Sequence, residues 1–253
     1  MLLGEPSETG ADLRFRLFRF PVRVHPFFWL VIALLGIGTI EARELAPALA
    51  ELVIWVIAAF LSVLIHELGH AFVLRWYGFE PAITLYGFGG YASYDPHRSP
   101  RARTPGNKGQ IVISAAGPGV QLLLTIVLAV LLFWAGYVVS VYAWGPLYFV
   151  LPGEGEIVIN HGITRFVRDL MLASAFWAYF NLLPVYPLDG GKIARGLFVL
   201  ADPHRGVRQS LILSTVVSLA LAITGLITQD RMLMYFFLFM TYANVEALQA
   251  HGG

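Results

Sequence analysis

Long apolar runs separated by short basic loops are the feature that most constrains how this chain can fold. The stretch 111–153 has no charged residue, and further apolar runs cover 26–40, 52–74, 170–183, 210–228 and 232–245. With 57% hydrophobic and 13% charged residues, the chain has too little interior to bury this apolar surface in water. Since a spanning helix needs about 20 apolar residues, we predict an all-α polytopic membrane protein with about six transmembrane helices.

The distribution of basic residues predicts the orientation of these helices. Lys and Arg concentrate in cytoplasmic loops. On a six-span arrangement, most of the 17 Lys and Arg residues fall in the tail 1–25, after the second span, or after the fourth. We therefore expect a cytoplasmic N-terminal tail over 1–25, a transmembrane domain over 26–249, and both termini in the cytoplasm of a cell-membrane protein. The same bias favours one span plus an interfacial segment in 111–153, although whether 136–153 spans stays open.

The region 80–108 is rich in Gly, Tyr, Pro and Arg and cannot be a span. Within it, 83–94 has β-branched and aromatic residues around three glycines, which is typical of a β-hairpin. We expect a short membrane-associated hairpin after the second span. The alternative is an ordinary surface hairpin.

Net charge and cysteine content exclude several classes of protein. A net charge of +1 argues against a nucleic-acid partner. The absence of cysteine excludes disulfides, iron–sulfur clusters and thiol catalysis.

The second apolar run contains the sequence His-Glu-Leu-Gly-His at 66–70. On a helix, residues four apart lie on one face, so His66 and His70 can reach one Zn²⁺ ion. Glu67 lies beside them and can take a proton from the attacking water. Three ionisable residues inside an apolar span are costly, and the default expectation is that they are functional. The alternative is a polar contact between helices.

A catalytic zinc site usually has three protein ligands, and Asp189 is the candidate for the third. It follows the fourth apolar run, in a segment broken by two prolines and two glycines. Irregular backbone at membrane depth is tolerated where it is buried in protein or lines a wet cavity. The alternative is that Asp189 caps a helix that starts near Lys192.

The motif at 66–70, followed by Asn-Leu-Leu-Pro-Val-Tyr-Pro-Leu-Asp-Gly-Gly at 181–191, resembles the site-2 protease family of intramembrane zinc metalloproteases. The resemblance covers about 52–191, the family's catalytic core, inside a metalloprotease domain over 26–249. It implies that His66, His70 and Asp189 bind Zn²⁺ and that Glu67 is the catalytic base. It also implies that Asn181 is catalytic and holds the substrate backbone or the oxyanion.

The resemblance further implies a substrate and a place to bind it. A transmembrane protein in the lipid bilayer would be hydrolysed in or near its helix. The hairpin residues Gly87, Phe88, Gly89 and Gly90 would receive it, since a sheet edge can pair with an unwound strand. The loop 95–110 and the residues after 245 are too short for the PDZ or CBS domains of many relatives, so a minimal form is expected.

A second class of function stays open on the sequence. Intramembrane His, Glu and Asp also line ion pathways, so a non-proteolytic metal-binding membrane protein or transporter is the alternative. Such a protein has no need for a glutamate directly after the first of two histidines four residues apart. The spacing therefore favours the protease.

Overall fold

The computed structural model describes residues 7–87, 89–94, 103–144, 147–155 and 157–250. The helices are α1 (Pro26–Ile37), α2 (Leu45–Trp76), α3 (Asn107–Trp134), α4 (His161–Leu182), α5 (Asp189–Ala201), α6 (Gly206–Ile227) and α7 (Arg231–Ala250). The strands are β1 (Leu13–Leu17), β2 (Phe20–Val24), β3 (Pro81–Tyr86), β4 (Gly89–Tyr94), β5 (Val139–Trp144) and β6 (Leu147–Pro152). The described chain is mostly helical, but its two sheets correct the all-α prediction.

The chain divides into two compact units. The first comprises Met1–Arg103 and Gly119–Ala178, and the second comprises Thr104–Pro118 and Tyr179–Gly253. Of the described helices, α2, α3 and α6 are long and apolar enough to cross a membrane, which defines a multi-pass membrane protein. Three of the six predicted spans therefore correspond to helices that are long and apolar enough to cross a membrane.

The first unit contains a four-stranded sheet in the order β1-β2-β3-β4. Strands β1 and β2 form an antiparallel hairpin within the predicted N-terminal tail, and β2 pairs in parallel with β3. Phe20, Val22 and Val24 of β2 lie in a core with β3, α1 and α2, whereas the alternating positions Pro21 and Arg23 are outside this core. Fully burying each large apolar side chain, such as Phe20, stabilises this core by about 1.5–3 kcal/mol.

The buried carboxylate of Asp12, just before β1, is hydrogen-bonded to β2. Thr9 donates to Asp12 through its hydroxyl at 2.7 Å and its backbone N–H at 3.1 Å, and Arg23 Nε donates at 2.8 Å. Burial raises the pKa of the Asp12 carboxyl, but the hydrogen bonds from Thr9 and the charge of Arg23 outweigh it and lower this pKa to about 2.

This depressed pKa predicts an acid dependence of the hairpin's stability. The folded pKa lies below the unfolded one, so the stabilisation is complete above about pH 4 and is lost as the pH falls towards about 2. We expect the melting temperature of Asp12→Asn, measured in detergent, to lie below that of wild type near neutral pH. The difference should vanish near about pH 2. A difference that persists unchanged in acid would contradict this assignment.

The C-terminal end of α2 sets the position of the β3–β4 hairpin. Gly78 has a φ of 90°, a left-handed conformation that favours glycine. Its N–H donates to Arg75 O at 2.8 Å, and Phe79 N–H donates to Leu74 O at 3.1 Å. This pair of bonds closes the helix and reverses the chain, so that β3 begins at Pro81. The hairpin predicted over 83–94 is thus present, directly after α2.

Two helices differ in extent from the apolar runs that predicted them. Helix α1 has twelve residues, or about 18 Å, which is short against a hydrocarbon core of about 30 Å. Helix α4 begins at His161, well before the apolar run at 170–183. The additional N-terminal turns contain charged residues. Arg165 in these turns forms ion pairs with Asp169 at 2.9 Å and with Glu51 at 3.2 Å, which allow its charge to be buried.

The uncharged stretch 111–153 holds one long helix followed by a hairpin. Helix α3 ends at Trp134, and β5 pairs with β6 in antiparallel register. A strand that crosses a bilayer needs about 9–11 residues, and these strands have six each. This agrees with one span plus a shorter segment, but the sequence did not predict that the segment is β.

The second unit packs α5, α6 and α7 around the segment 183–188. Val185, Ala222, Phe237 and Met240 form its buried core. Ser214 Oγ accepts a hydrogen bond from Tyr186 N at 3.0 Å, and Asn244 Nδ2 donates to Tyr186 O at 2.7 Å. These bonds satisfy the backbone N–H and C=O of Tyr186 in the irregular segment that precedes α5.

Candidate metal centre

Helix α2 carries the two predicted imidazole ligands on its buried side. His66 is 2% exposed and His70 is 8% exposed. Their Nε2 atoms lie 3.1 Å apart, and the two rings are inclined at 82°. Two nitrogens that bind one tetrahedral ion at about 2.0–2.1 Å are separated by roughly 3.3 Å. The imidazole pair therefore has the spacing that a shared metal ion requires.

A buried amide fixes the orientation of the His66 ring. Gln121 on α3 is fully buried, and its Oε1 lies 2.9 Å from His66 Nδ1. Its Nε2 donates to Ser62 O at 3.1 Å and to Ser62 Oγ at 2.9 Å. Because the amide nitrogen is used by Ser62, the oxygen faces His66 and accepts its Nδ1–H. His66 Nε2 is then left with the lone pair that a metal ligand needs.

Gln121 was not predicted as a site residue from the sequence, although the sequence contains a signal for it. It is the only Gln or Asn in the uncharged stretch 111–153. A buried amide needs hydrogen-bond partners, so a single amide in such a stretch indicates a polar contact between helices. The sequence does not say which helix supplies that contact.

We expect Gln121→Leu to weaken zinc affinity about 10–100-fold, because the His66 ring loses the acceptor that orients it. Competition with a chromogenic chelator measures this affinity without any substrate. Thr125→Val is the matched control, since Thr125 is buried one turn further along α3 and donates only to Gln121 O. Equal affinities for Gln121→Leu and Thr125→Val would show that the amide does not support the site.

Glu67 lies beside the edge strand β4. It is 3% exposed. A Cβ built on Gly90 would lie 2.8 Å from Glu67 Cγ and 2.6 Å from Leu85 Cδ2. Only a glycine lets the strand backbone pass this close to the carboxylate-bearing side chain. Gly90 therefore explains part of the glycine-rich pattern in the hairpin.

The other predicted hairpin residues lie near the same place. Gly87 follows β3 with a φ of 53°, and Gly89 begins β4. A Cβ on Gly89 would meet Trp177 Cζ2 at 3.0 Å. Phe88 lies outside the described residues. The structure thus brings Gly89 and Gly90 to the strand next to Glu67.

In the second unit, Asp189 is the first residue of α5, and Leu188 precedes it as the N-cap. Asp189 is therefore not the capping residue that the sequence left open. It is 4% exposed, and Lys192 Nζ lies 3.1 Å from its Oδ1. A Cβ on Gly190 would overlap the backbone of Leu182, which explains the glycine after the aspartate.

Asn181 lies one residue before the end of α4 and is half-buried. It precedes the irregular segment 183–188, which leads to Asp189. The structure therefore places the two polar residues of the second motif on either side of this segment.

His66 and His70 of the first unit and Asp189 of the second are each buried, and each offers a side-chain atom that can bind a metal ion. Two imidazoles and a carboxylate are a donor set that Zn²⁺ binds at catalytic sites. These residues fit a metal ion.

Residues 54–224 match peptidase family M50. The match covers more than half of the chain, so the chain belongs to peptidase family M50.

The relatives of this chain include a zinc metalloprotease of Methanocaldococcus jannaschii, 25% identical over 233 residues, which are 90% of this chain and 58% of that protein. Stage IV sporulation protein FB of Bacillus subtilis is 28% identical over 182 residues, 70% of this chain and 47% of that protein. The chain thus spans about half the length of the curated relatives it matches.

The solved structure of a site-2 protease from Methanocaldococcus jannaschii has the same fold. Its TM-score is 0.56 at 23% identity, with 94% of this chain and 95% of that chain covered. The site-2 protease fold that the sequence resemblance implied is therefore confirmed for the overall architecture.

Proposed function

We propose that this chain is a zinc-dependent endopeptidase that hydrolyses peptide bonds in or near the transmembrane helices of membrane proteins. The observation that carries the proposal is the buried imidazole pair of His66 and His70, spaced to share one metal ion, in a chain of apolar helices. Glu67 adds a buried carboxylate beside β4, an edge strand among the described residues. Membership of peptidase family M50 and a relative named a zinc metalloprotease support it.

His66, His70 and Asp189 would hold the zinc ion. When bound, zinc polarises the scissile carbonyl and lowers the pKa of the attacking water. The orientation that Gln121 imposes on His66 supports this role, because it leaves Nε2 free of a proton.

Glu67 would act as the proton carrier. Its carboxylate takes a proton from the attacking water and later gives it to the nitrogen of the leaving amine. One group serves both steps, since the carboxylate is protonated by the first and restored by the second. The position of Glu67 next to Gly90 supports this role, because a strand paired with β4 would run past the carboxylate.

The edge of β4 would bind the substrate backbone. A helix hides its scissile carbonyl in internal hydrogen bonds, so it must unwind before hydrolysis. Within the described residues, β4 is an edge strand of its sheet. An edge strand of this kind can pair with the unwound segment. Gly87, Phe88, Gly89 and Gly90 would form this substrate-binding edge. Asn181 would donate a side-chain N–H to the substrate backbone or the developing oxyanion.

The membrane arrangement is part of the proposal. Helices α1, α2, α3, α4, α6 and α7 would be the six spans, with the hairpin β3–β4 associated with the membrane. Both termini and most basic residues would face the cytoplasm, as the positive-inside rule favours.

Because the natural chain has no cysteine, single cysteines report this orientation against a clean background. We expect Arg19→Cys in cells to react only after the membrane is made permeable to a maleimide probe. Glu154→Cys should react in intact cells. Labelling of both positions on one side would contradict the arrangement.

Cleavage in proteoliposomes tests the function. The purified full chain is reconstituted with a single-span substrate protein, and mass spectrometry locates the bond that is cut. We expect hydrolysis within or next to the substrate's transmembrane helix, loss of cleavage with a chelator, and recovery with zinc. Zinc transport across the vesicle without cleavage would support the transporter alternative and overturn the proposal.

A further inference from the structure

An apolar cavity of about 280 Å³ lies within the first unit, between α1, α2, the β3–β4 hairpin and α4. Its walls include Phe28, Trp55, Ala59, Ala173 and Trp177. A dry cavity of about 150 Å³ with comparable walls accepts a benzene molecule. The present cavity is therefore large enough for a leucine or phenylalanine side chain.

The hydroxyl group of Ser62, which lies in the lining, is already hydrogen-bonded. Ser62 Oγ accepts hydrogen bonds from Gln121 at 2.9 Å and from Ser174 at 3.2 Å. An occupant therefore gains little from polar groups of its own, and the walls select for an apolar one. Ser62 also lies one helical turn before His66, so the cavity is close to the predicted metal ligands.

The hairpin connects the cavity with Glu67. Successive residues of a strand point to opposite faces of the sheet. A Cβ built on Gly89 would point towards Trp177, which lines the cavity, and a Cβ built on Gly90 would point towards Glu67. Residues directly opposite each other on paired strands share a face. A strand paired with β4 would therefore direct one side chain to the cavity and a neighbouring residue to the Glu67 side.

We propose that the cavity is a specificity pocket, which binds a large apolar side chain of the substrate, on the residue that pairs opposite Gly89. The inference rests on the proposed peptidase function and adds the chemical class of residue that the enzyme prefers beside the cleaved bond. The glycines at 87 and 89 line the cavity on the hairpin side and contribute no side chain of their own to it.

A substrate series in proteoliposomes tests the proposal. Each residue within a few positions of the mapped cleavage site is varied among Ala, Leu and Phe in an otherwise fixed single-span substrate. We expect one position at which wild type prefers Leu or Phe over Ala by at least about tenfold in kcat/KM. Ala173→Phe and Ala59→Leu fill the cavity from two different helices and should abolish or reverse that preference. Ala50→Phe, on the exposed part of α2, is the matched control and should keep it.

Zinc content and melting temperature identify a variant that fails to fold. If one of the two cavity-filling variants fails to fold, the residue preference of the other one tests the proposal. A wild type without any residue preference would overturn the proposal. So would filled variants that cleave with the wild-type preference, which is the result expected if a lipid chain occupies the cavity. A wild type that binds zinc but cuts no member of the series refutes the peptidase function itself, and this inference with it.

Discussion

Glu67→Gln is expected to reduce peptide hydrolysis by about 10²–10⁴-fold while zinc remains bound. The glutamine has the same shape as the glutamate, so it fits beside Gly90, but it cannot accept a proton from water at neutral pH. Zinc content is expected to be unchanged because, in the proposed site, His66, His70 and Asp189 would provide the ligands. Cleavage of the single-span substrate and zinc per chain are measured on the same preparation.

Glu44→Gln is the matched control for this experiment. Glu44 is the exposed N-cap residue of the same helix and makes no capping hydrogen bond through its side chain. We expect it to cleave at the wild-type rate. If Glu67→Gln were as active as Glu44→Gln, Glu67 would have no role in the reaction. If Glu67→Gln lost its zinc, Glu67 would instead be a candidate zinc ligand.

Asp189→Asn is expected to weaken zinc affinity by at least about 100-fold, because it removes a charged ligand rather than a group that only supports one. The amide oxygen carries no net charge and binds Zn²⁺ less strongly than a carboxylate. Activity should fall with occupancy and return in part at high zinc concentration. Chelator competition gives the affinity, and substrate cleavage gives the activity.

Asp230→Asn serves as the control, since Asp230 also lies at the start of a helix and accepts a hydrogen bond from Leu233 N at 3.0 Å. Asparagine can accept the same bond. We expect wild-type zinc affinity for Asp230→Asn. If Asp189→Asn behaved in the same way, another group would have to be the third ligand.

The parts of the site that lie on one helix were predictable from the sequence. Residues four apart on a helix meet on one face, so the motif at 66–70 was sufficient to predict the imidazole pair of His66 and His70. The hairpin after α2 was predictable for a similar reason, because its glycines and β-branched residues are local signals.

The first β-hairpin was missed although its pattern is visible. Apolar and basic residues alternate along β1, from Leu13 to Leu17. This period of two predicts a strand, but the positive charge of the segment also fits the cytoplasmic tail that was expected over 1–25. The arginines lie between core-facing positions, so the segment can be both basic and folded.

The contacts between elements could not be read from the sequence. Gln121 lies 55 residues from His66, and Ser174 lies 112 residues from Ser62. No local pattern encodes such pairs, since they depend on how the helices pack. The parallel pairing of β2 with β3 is equally non-local. The cavity beside β4 is likewise built from four separate segments of the chain.

A crystal structure of the zinc-loaded wild type, with anomalous diffraction data collected at the zinc edge, would locate the metal ion directly. We expect one strong peak at about 2.0–2.2 Å from a ring nitrogen of His66, a ring nitrogen of His70 and a carboxylate oxygen of Asp189. A peak held by other residues, or one that Asp189 does not contact, would contradict this expectation.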